Sequence, residues 1–194
     1  GSALLELPHE GVSLADMQDV TRRLMHAGAG IHDLNTVRKD LSQVKGGGLR
    51  LRIGPARCVT LMLSDVLGND PSVIASGPTV QTTSSAEDAL EVLRRFRLGD
   101  DVPDAVMRAL REGPSARPDI DLSRDVVQVI ADNAALVREM AEQAQAHDLR
   151  VRVEEEPYDG DAATLGRDLV ALLRTLPDEF DIYVRGGEAT VEVT

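Results

Sequence analysis

The sequence predicts an α/β protein, a parallel sheet flanked by helices. Apolar residues recur at helical spacing in several segments, and short strand-like runs alternate with those segments in the second half. The run Arg57–Leu63 is nearly continuous in apolar character, the pattern of a strand covered on both faces of a parallel sheet.

The elements follow in order. In GVSLADMQDVTRRLMHAGAG, Ser13 can cap a helix with Asp16 three residues on, and Gly28 or Gly30 can stop it. Leu14, Met17, Val20, Leu24 and Met25 supply its apolar face. A second helix is predicted over 31–44, ended by Gly46, Gly47 and Gly48. After a polar loop at 64–80, Ala86–Phe96 and Pro103–Glu112 read as helices, with Pro103 suited to a first turn. Residues 113–125, GPSARPDIDLSRD, carry two prolines and little periodicity and read as a linker or boundary. Then strands Val126–Ala131, Leu149–Glu154 and Asp181–Arg185 alternate with helices Asn133–His147 and Asp161–Leu176. Gly186 and Gly187 precede a further strand, Ala189–Val193. Both ends read as cut, and no internal repeat or low-complexity tract is present.

Composition narrows the function. The formal net charge is −12, and aromatics are 2% of the 194 residues, with no Trp. That balance repels phosphate backbones and anionic membranes and offers little base stacking. With 42% apolar residues the chain can build a core, from Leu, Val, Ile, Ala and Met. The single Cys58 reads as a small buried hydrophobe and permits no disulfide framework, which fits a cytoplasmic location. No apolar run reaches membrane-span length. The histidines, at 9, 26, 32 and 147, lack metal-ligand spacing, and the acidic run Glu154–Glu156 reads as solvated.

Four stretches carry candidate chemistry. SDVLGNDPSVIASGPTV, residues 64–80, follows a strand, where open α/β sheets bind ligands. Asp65 there can hold a metal ion or accept a proton, Ser64 and Ser76 add hydroxyls, and Asp70 adds a second carboxylate. Gly68 and Gly77 let backbone amides approach an anion; the same residues also suit an ordinary turn. In NTVRKDLSQVKGGG, residues 35–48, Asn35, Arg38, Ser42 and Lys45 would share one helix face, suited to a carboxylate or phosphate, or simply solvated. RGGEATVEV, residues 185–193, offers Gly186, Gly187, Glu188 and Thr190 to a phosphate or metal, or forms a glycine-bearing hairpin. Gly1 and Ser2 could place amides on a phosphate, or cap a helix. No GxGxxG follows a strand, so a nicotinamide-binding unit has no support.

In this order, GSALLELP, GAGIHDLNTVRKDLSQVKGG, LSDVLGNDPSVIASGPTV and RGGEATVEV resemble the glycerate 2-kinase family, two-domain enzymes whose second part is the MOFRL domain. The resemblance implies a Rossmann-like first domain over 1–112, incomplete at its start, a linker over 113–125, and the beginning of a second α/β domain over 126–194. It implies ATP-dependent phosphorylation of D-glycerate to 2-phosphoglycerate in a cleft between those domains, with Mg²⁺; a homodimer fits the same picture. Lys45 and Arg38 would meet the glycerate carboxylate or transferring phosphoryl, and Asn35 would orient a hydroxyl. Asp65 would hold Mg²⁺ or act as base, with Asp70 as second metal carboxylate. Gly1 and Ser2, with Ser64, Gly68, Ser76, Gly77, Gly186, Gly187, Glu188 and Thr190, would line the nucleotide site. Four positions depart from the family pattern: Asp40 for a histidine, Asn69 for an aspartate, Arg185 for a small residue and Ala189 for a threonine. Two alternatives are a hydroxypyruvate reductase, the older label of this family, and a non-catalytic sugar-acid-binding module.

Overall fold

The computed structural model describes residues 4–99, 101–113, 119–175 and 180–191. Among them the order is α1 (Leu14–His26), α2 (Ile31–Asp40), α3 (Gly48–Ile53), β1 (Val59–Leu63), α4 (Ala86–Arg95), α5 (Asp104–Glu112), β2 (Val126–Ala131), α6 (Asn133–Ala146), β3 (Val151–Asp161), α7 (Ala162–Thr175) and β4 (Ile182–Thr190). The architecture is α/β, as predicted. Contacts divide the chain into two compact units: residues 1–60 with 71–127, and residues 61–70 with 128–194.

The first unit is built on four helices. α1 touches α2 and α5, and α4 touches the same two. Their core joins Met17, Val20 and Leu24 of α1 to Val37, Leu93 and Val106. Leu14 and Met25, predicted on the same face, are exposed. The start of α1 is a reciprocal cap: Asp16 N donates to Ser13 Oγ at 3.1 Å, and Ser13 N donates to Asp16 Oδ2 at 2.8 Å. Ser85 and Asp88 repeat the device at α4. The hydroxyl bonds from Ser13 and Ser85 hold both carboxyls below the usual range. α1 stops where Gly28 takes φ +82°.

The second predicted helix is shorter than expected. It ends at Asp40, not at 44, and an unanticipated α3 follows the glycines. Ser42 explains the break, because its Oγ accepts from Val44 N at 3.3 Å and Lys45 N at 3.2 Å. This side-chain acceptor replaces the carbonyls a helix would offer. Gly47 then adopts φ +88°, and a Cβ there would lie 2.5 Å from Ile120 Cδ1 and 3.1 Å from the Val80 carbonyl oxygen. Asn35, Arg38, Ser42 and Lys45 therefore do not share one helix face. At α5, Pro103 stands just before the first helical residue rather than within the first turn.

Strand β1 also corrects an expectation. Val59, Leu61 and Leu63 are 57%, 60% and 72% exposed, whereas Met62 is buried. The strand is covered on one side, and among the described residues it pairs only with β2. Val126 N donates to the Cys58 carbonyl and Ser64 N to that of Ala131, so the two strands run parallel. Cys58 is only partly buried, and its N–H donates to Asp125 Oδ1 at 3.0 Å. Arg50 pairs with Asp125 and donates to the Gly54 and Asp121 carbonyls. Those contacts, with Ile120 N donating to Gln81 Oε1 at 2.9 Å, tie residues 120–125 to the first unit. The Arg50 guanidinium, followed by the Cys58 amide, holds the Asp125 carboxyl low.

In the second unit β3 and β4 are parallel, joined through α7, with α6 and α7 packed on them. Their register runs Val151↔Ile182 to Glu154↔Arg185 and resumes at Tyr158↔Gly187. Residues 155–157 thus bulge opposite Gly186. Pro157 is tolerated there because a bulged residue owes no ladder donor. β4 continues through both glycines, so RGGEATVEV contains neither a strand end nor a hairpin at that point. Its predicted continuation through residues 192 and 193 lies outside the described residues.

Candidate functional site

In the first unit, the 71–80 loop meets the turn that follows α2. Gly46 N donates to the Ser76 carbonyl at 2.9 Å and Gly47 N to that of Gly77 at 2.7 Å. Ser76 Oγ donates to Asn35 Oδ1 at 3.3 Å, and both residues are buried. Asn35, Lys45, Ser76 and Gly77, distant in sequence, are therefore gathered in one place. The Ser76 and Gly77 amides donate to the Val73 and Ile74 carbonyls, so they are engaged within the loop. Gly77 has φ +57°, and a Cβ there would stand 2.9 Å from the Ser72 carbonyl oxygen.

Lys45 is 1% exposed. Its Nζ donates to Glu6 Oε2 at 2.5 Å and to the Leu5 carbonyl at 2.7 Å. Around it, His9 N donates to the Leu41 carbonyl and Gln43 N to the Leu7 carbonyl. The lysine thus fastens the segment that follows Gly1 and Ser2, two predicted site residues that lie outside the described residues. Arg38, on α2, is half-buried, and its guanidinium has no ion-pair or hydrogen-bond partner among the described residues.

In the second unit, residues 64–70 leave the carboxyl end of β1. Ser64 is buried, and its Oγ accepts from Val66 N at 3.2 Å, which starts the turn. Gly68 at φ +82° and Asn69 at φ +54° complete it, with Asn69 N donating to the Val66 carbonyl. Asp65 is exposed and without a hydrogen-bond partner among the described residues; Asp70 is also exposed. Asn69 Nδ2 donates to Asp132 Oδ2 at 2.6 Å, while Asp132 Oδ1 accepts from Ala135 N at 2.7 Å and caps α6. The Ala135 amide, then the Asn69 amide, hold the Asp132 carboxyl below its ordinary value.

A cavity of about 440 Å³ opens here, lined in part by Gly68, Asn69, Asp132, Glu154 and Gly186. Gly186 forms its wall closely: a Cβ would fall 1.7 Å from Asn133 Oδ1. Gly187, at φ +145°, approaches Tyr158 so tightly that a Cβ would lie 2.2 Å from its carbonyl oxygen. Glu188 is exposed, and Thr190 Oγ1 donates to the Gly160 carbonyl at 3.3 Å. Sequence reasoning passed over Asp132, Asn133 and Arg138, although an Asp-Asn pair between a strand and a helix was visible. It also read Glu154 as merely solvated. No group of three or more His, Cys, Asp or Glu side chains among the described residues is arranged to hold a metal ion. No helix among them is long and apolar enough to cross a membrane.

The turn at the carboxyl end of β1, with Gly68, Asp65 and Asp70, lies where open α/β sheets take their ligands. The family model described as "Domain of unknown function (DUF4147)" matches residues 1–111. The chain belongs to this family, that of the glycerate 2-kinases its motifs resemble. It is 46% identical over 142 residues to D-glycerate 2-kinase of Thermotoga maritima, covering 72% of this chain and 34% of that protein. It is 34% identical over 203 residues to glycerate 2-kinase of Pyrococcus horikoshii, covering all of this chain and 46% of that protein. The crystal structure of a Thermotoga maritima glycerate kinase superposes with a TM-score of 0.78 at 36% identity, covering 100% of this chain and 47% of the other. The chain spans less than half the length of these relatives.

Proposed function

We propose that the protein containing this chain transfers the γ-phosphoryl group of ATP to the 2-hydroxyl of D-glycerate, giving 2-phosphoglycerate. The observation that carries this reading is the match of the whole chain, in sequence and fold, to glycerate kinases. The local chemistry agrees. The glycerate 2-oxygen forms a bond to the γ-phosphorus, the bond from that phosphorus to the β–γ bridging oxygen breaks, and ADP leaves. Asp65, exposed beyond β1, takes the hydroxyl proton or, alternatively, holds the metal ion. Arg38, a cation without a partner among the described residues, takes the carboxylate or the phosphoryl oxygens. Asn35, fixed by Ser76, orients the substrate hydroxyl. Lys45 holds the segment leading back to Gly1 and Ser2, whose amides meet the nucleotide phosphates.

Magnesium binds with few protein carboxylates and several phosphate or water oxygens, so the sparse acidic set is compatible with it. Asp65, with Asp70 second, would hold the ion, which supplies charge neutralisation at the phosphates. On this reading residues 1–112 belong to the amino-terminal domain, 113–125 link it onward, and 126–194 begin a MOFRL-type domain. A cytoplasmic location and a homodimer complete the proposal.

The test is ADP release with D-glycerate and MgATP, using the protein over the full length its relatives span. Release that falls at least roughly a hundredfold in Asp65→Asn and Arg38→Ala supports the reading and its residues. Oxidation of reduced nicotinamide by hydroxypyruvate, without ADP release, would replace it with the reductase. Glycerate binding with neither reaction would leave a sugar-acid-binding module.

A further inference from the structure

The second-unit cavity has a character of its own. Its volume, about 440 Å³, lies in the range of small-molecule sites, roughly 300–1,000 Å³. Val66, Leu67, Val137 and Val153 give it apolar surface. Its charged groups are three carboxylates, Asp132, Glu154 and Glu155, against one guanidinium, Arg138. A cavity of that sign repels phosphates and carboxylates. The amino end of α6, which would otherwise attract an anion, is already capped by Asp132. The side chains of Glu154 and Glu155 have no hydrogen-bond partner among the described residues, so their oxygens can accept from an incoming hydroxyl.

We propose that this cavity binds the nucleoside part of the phosphoryl donor, an uncharged flat base with its ribose, and leaves the phosphates outside. The proposal rests on the ATP-dependent reading above. The base buries against the valines and Leu67. The vicinal ribose hydroxyls donate to Glu154 and Glu155, as acidic side chains receive ribose hydroxyls in other α/β proteins. Glycerate, a small anion, is rejected by the same carboxylates. The cavity therefore distinguishes the two substrates by charge.

Adenosine, which has the base and ribose but no phosphate, is the probe. Its binding to the full-length protein is followed by ligand-observed NMR, and its competition against ATP by kinetics. Ala134→Trp fills the cavity from the exposed first turn of α6. Glu154→Gln with Glu155→Gln removes two charged acceptors without changing volume. The expected result is that adenosine binds and competes with ATP. Each variant then raises the ATP KM at least about tenfold, with the D-glycerate KM unchanged. ATP that saturates while adenosine neither binds nor competes overturns the proposal and leaves the kinase reading intact. So does an unchanged ATP KM in both variants. If no ADP is released at all, the kinase reading fails. Adenosine binding, lost in the variants, then still decides the cavity.

Discussion

Asn69 Nδ2 lies 2.6 Å from Asp132 Oδ2 and joins the loop after β1 to the residue that caps α6. An amide is the right chemistry at that distance, because Asp132 is ionised and can only accept. Asn69→Asp replaces the donor with a second carboxylate. The variant is expected to unfold at lower urea than the parent at pH 7 and to regain part of the difference below about pH 4, where one of the pair takes a proton. Urea midpoints measured across pH check this. Equal midpoints at pH 7 would show that the bond contributes nothing.

Lys45 and Glu6 give a second prediction. Removing one partner of a buried ion pair strands the other, so Lys45→Ala should cost on the order of 3 kcal/mol. The segment around Leu5 and Leu7 should then become open to proteolysis. Lys45→Met with Glu6→Gln leaves no stranded charge and should recover much of the loss. Limited proteolysis with chemical denaturation separates these outcomes.

Gly187 gives a third. Its φ is +145°, and a Cβ at this position would stand only 2.2 Å from the Tyr158 carbonyl oxygen, which leaves no room for alanine. Gly187→Ala should destabilise the β3–β4 pair by about 1–3 kcal/mol, the usual range for overpacking. Gly166→Ala, at a helical site where a Cβ meets nothing within 4 Å, should be neutral or slightly stabilising. Thermal melting of the two variants makes the comparison.

Acid gives the fourth. Asp181 accepts from Arg150 through side chain and backbone, and the guanidinium bonds chiefly hold its carboxyl at about 2, from an ordinary 3.8. A depressed carboxyl stabilises the fold above the unfolded value and loses that contribution as pH falls through the folded one. The Asp181 contribution should therefore be complete above about pH 4 and fade toward pH 2. Asp181→Asn should remove this part of the acid dependence while leaving the rest, as read from denaturation midpoints in that window.

Helices were legible where local chemistry decides. Ser13 with Asp16, and the apolar spacing of Met17, Val20 and Leu24, placed α1 within a residue or two. Sequence failed where a distant partner decides. Nothing local says that Ser42 turns its hydroxyl onto the following amides, or that Gly47 must clear Ile120, so the second helix reads four residues too long and α3, beyond the glycines, goes unanticipated. Gly186 and Gly187 looked like a turn because glycine marks turns. In β4 they serve close approach to Asn133 and Tyr158, which only the folded chain reveals. The candidate site was half legible: its loops were, but Asp132 goes unnoticed in the sequence and Glu154 reads as solvated surface.

The second unit is discontinuous in sequence, since residues 61–70 cluster with 128–194 and the whole of 71–127 intervenes. During synthesis the Ser64–Asp70 turn emerges long before Ala131 and Asp132, the groups that bind its backbone and Asn69. That turn waits for its partners while the four-helix core of the first unit can already form from contacts available to it. Closing such a long loop is slow compared with packing neighbouring helices. The loop on which the proposed chemistry depends is therefore completed only after the helical core of the first unit can form.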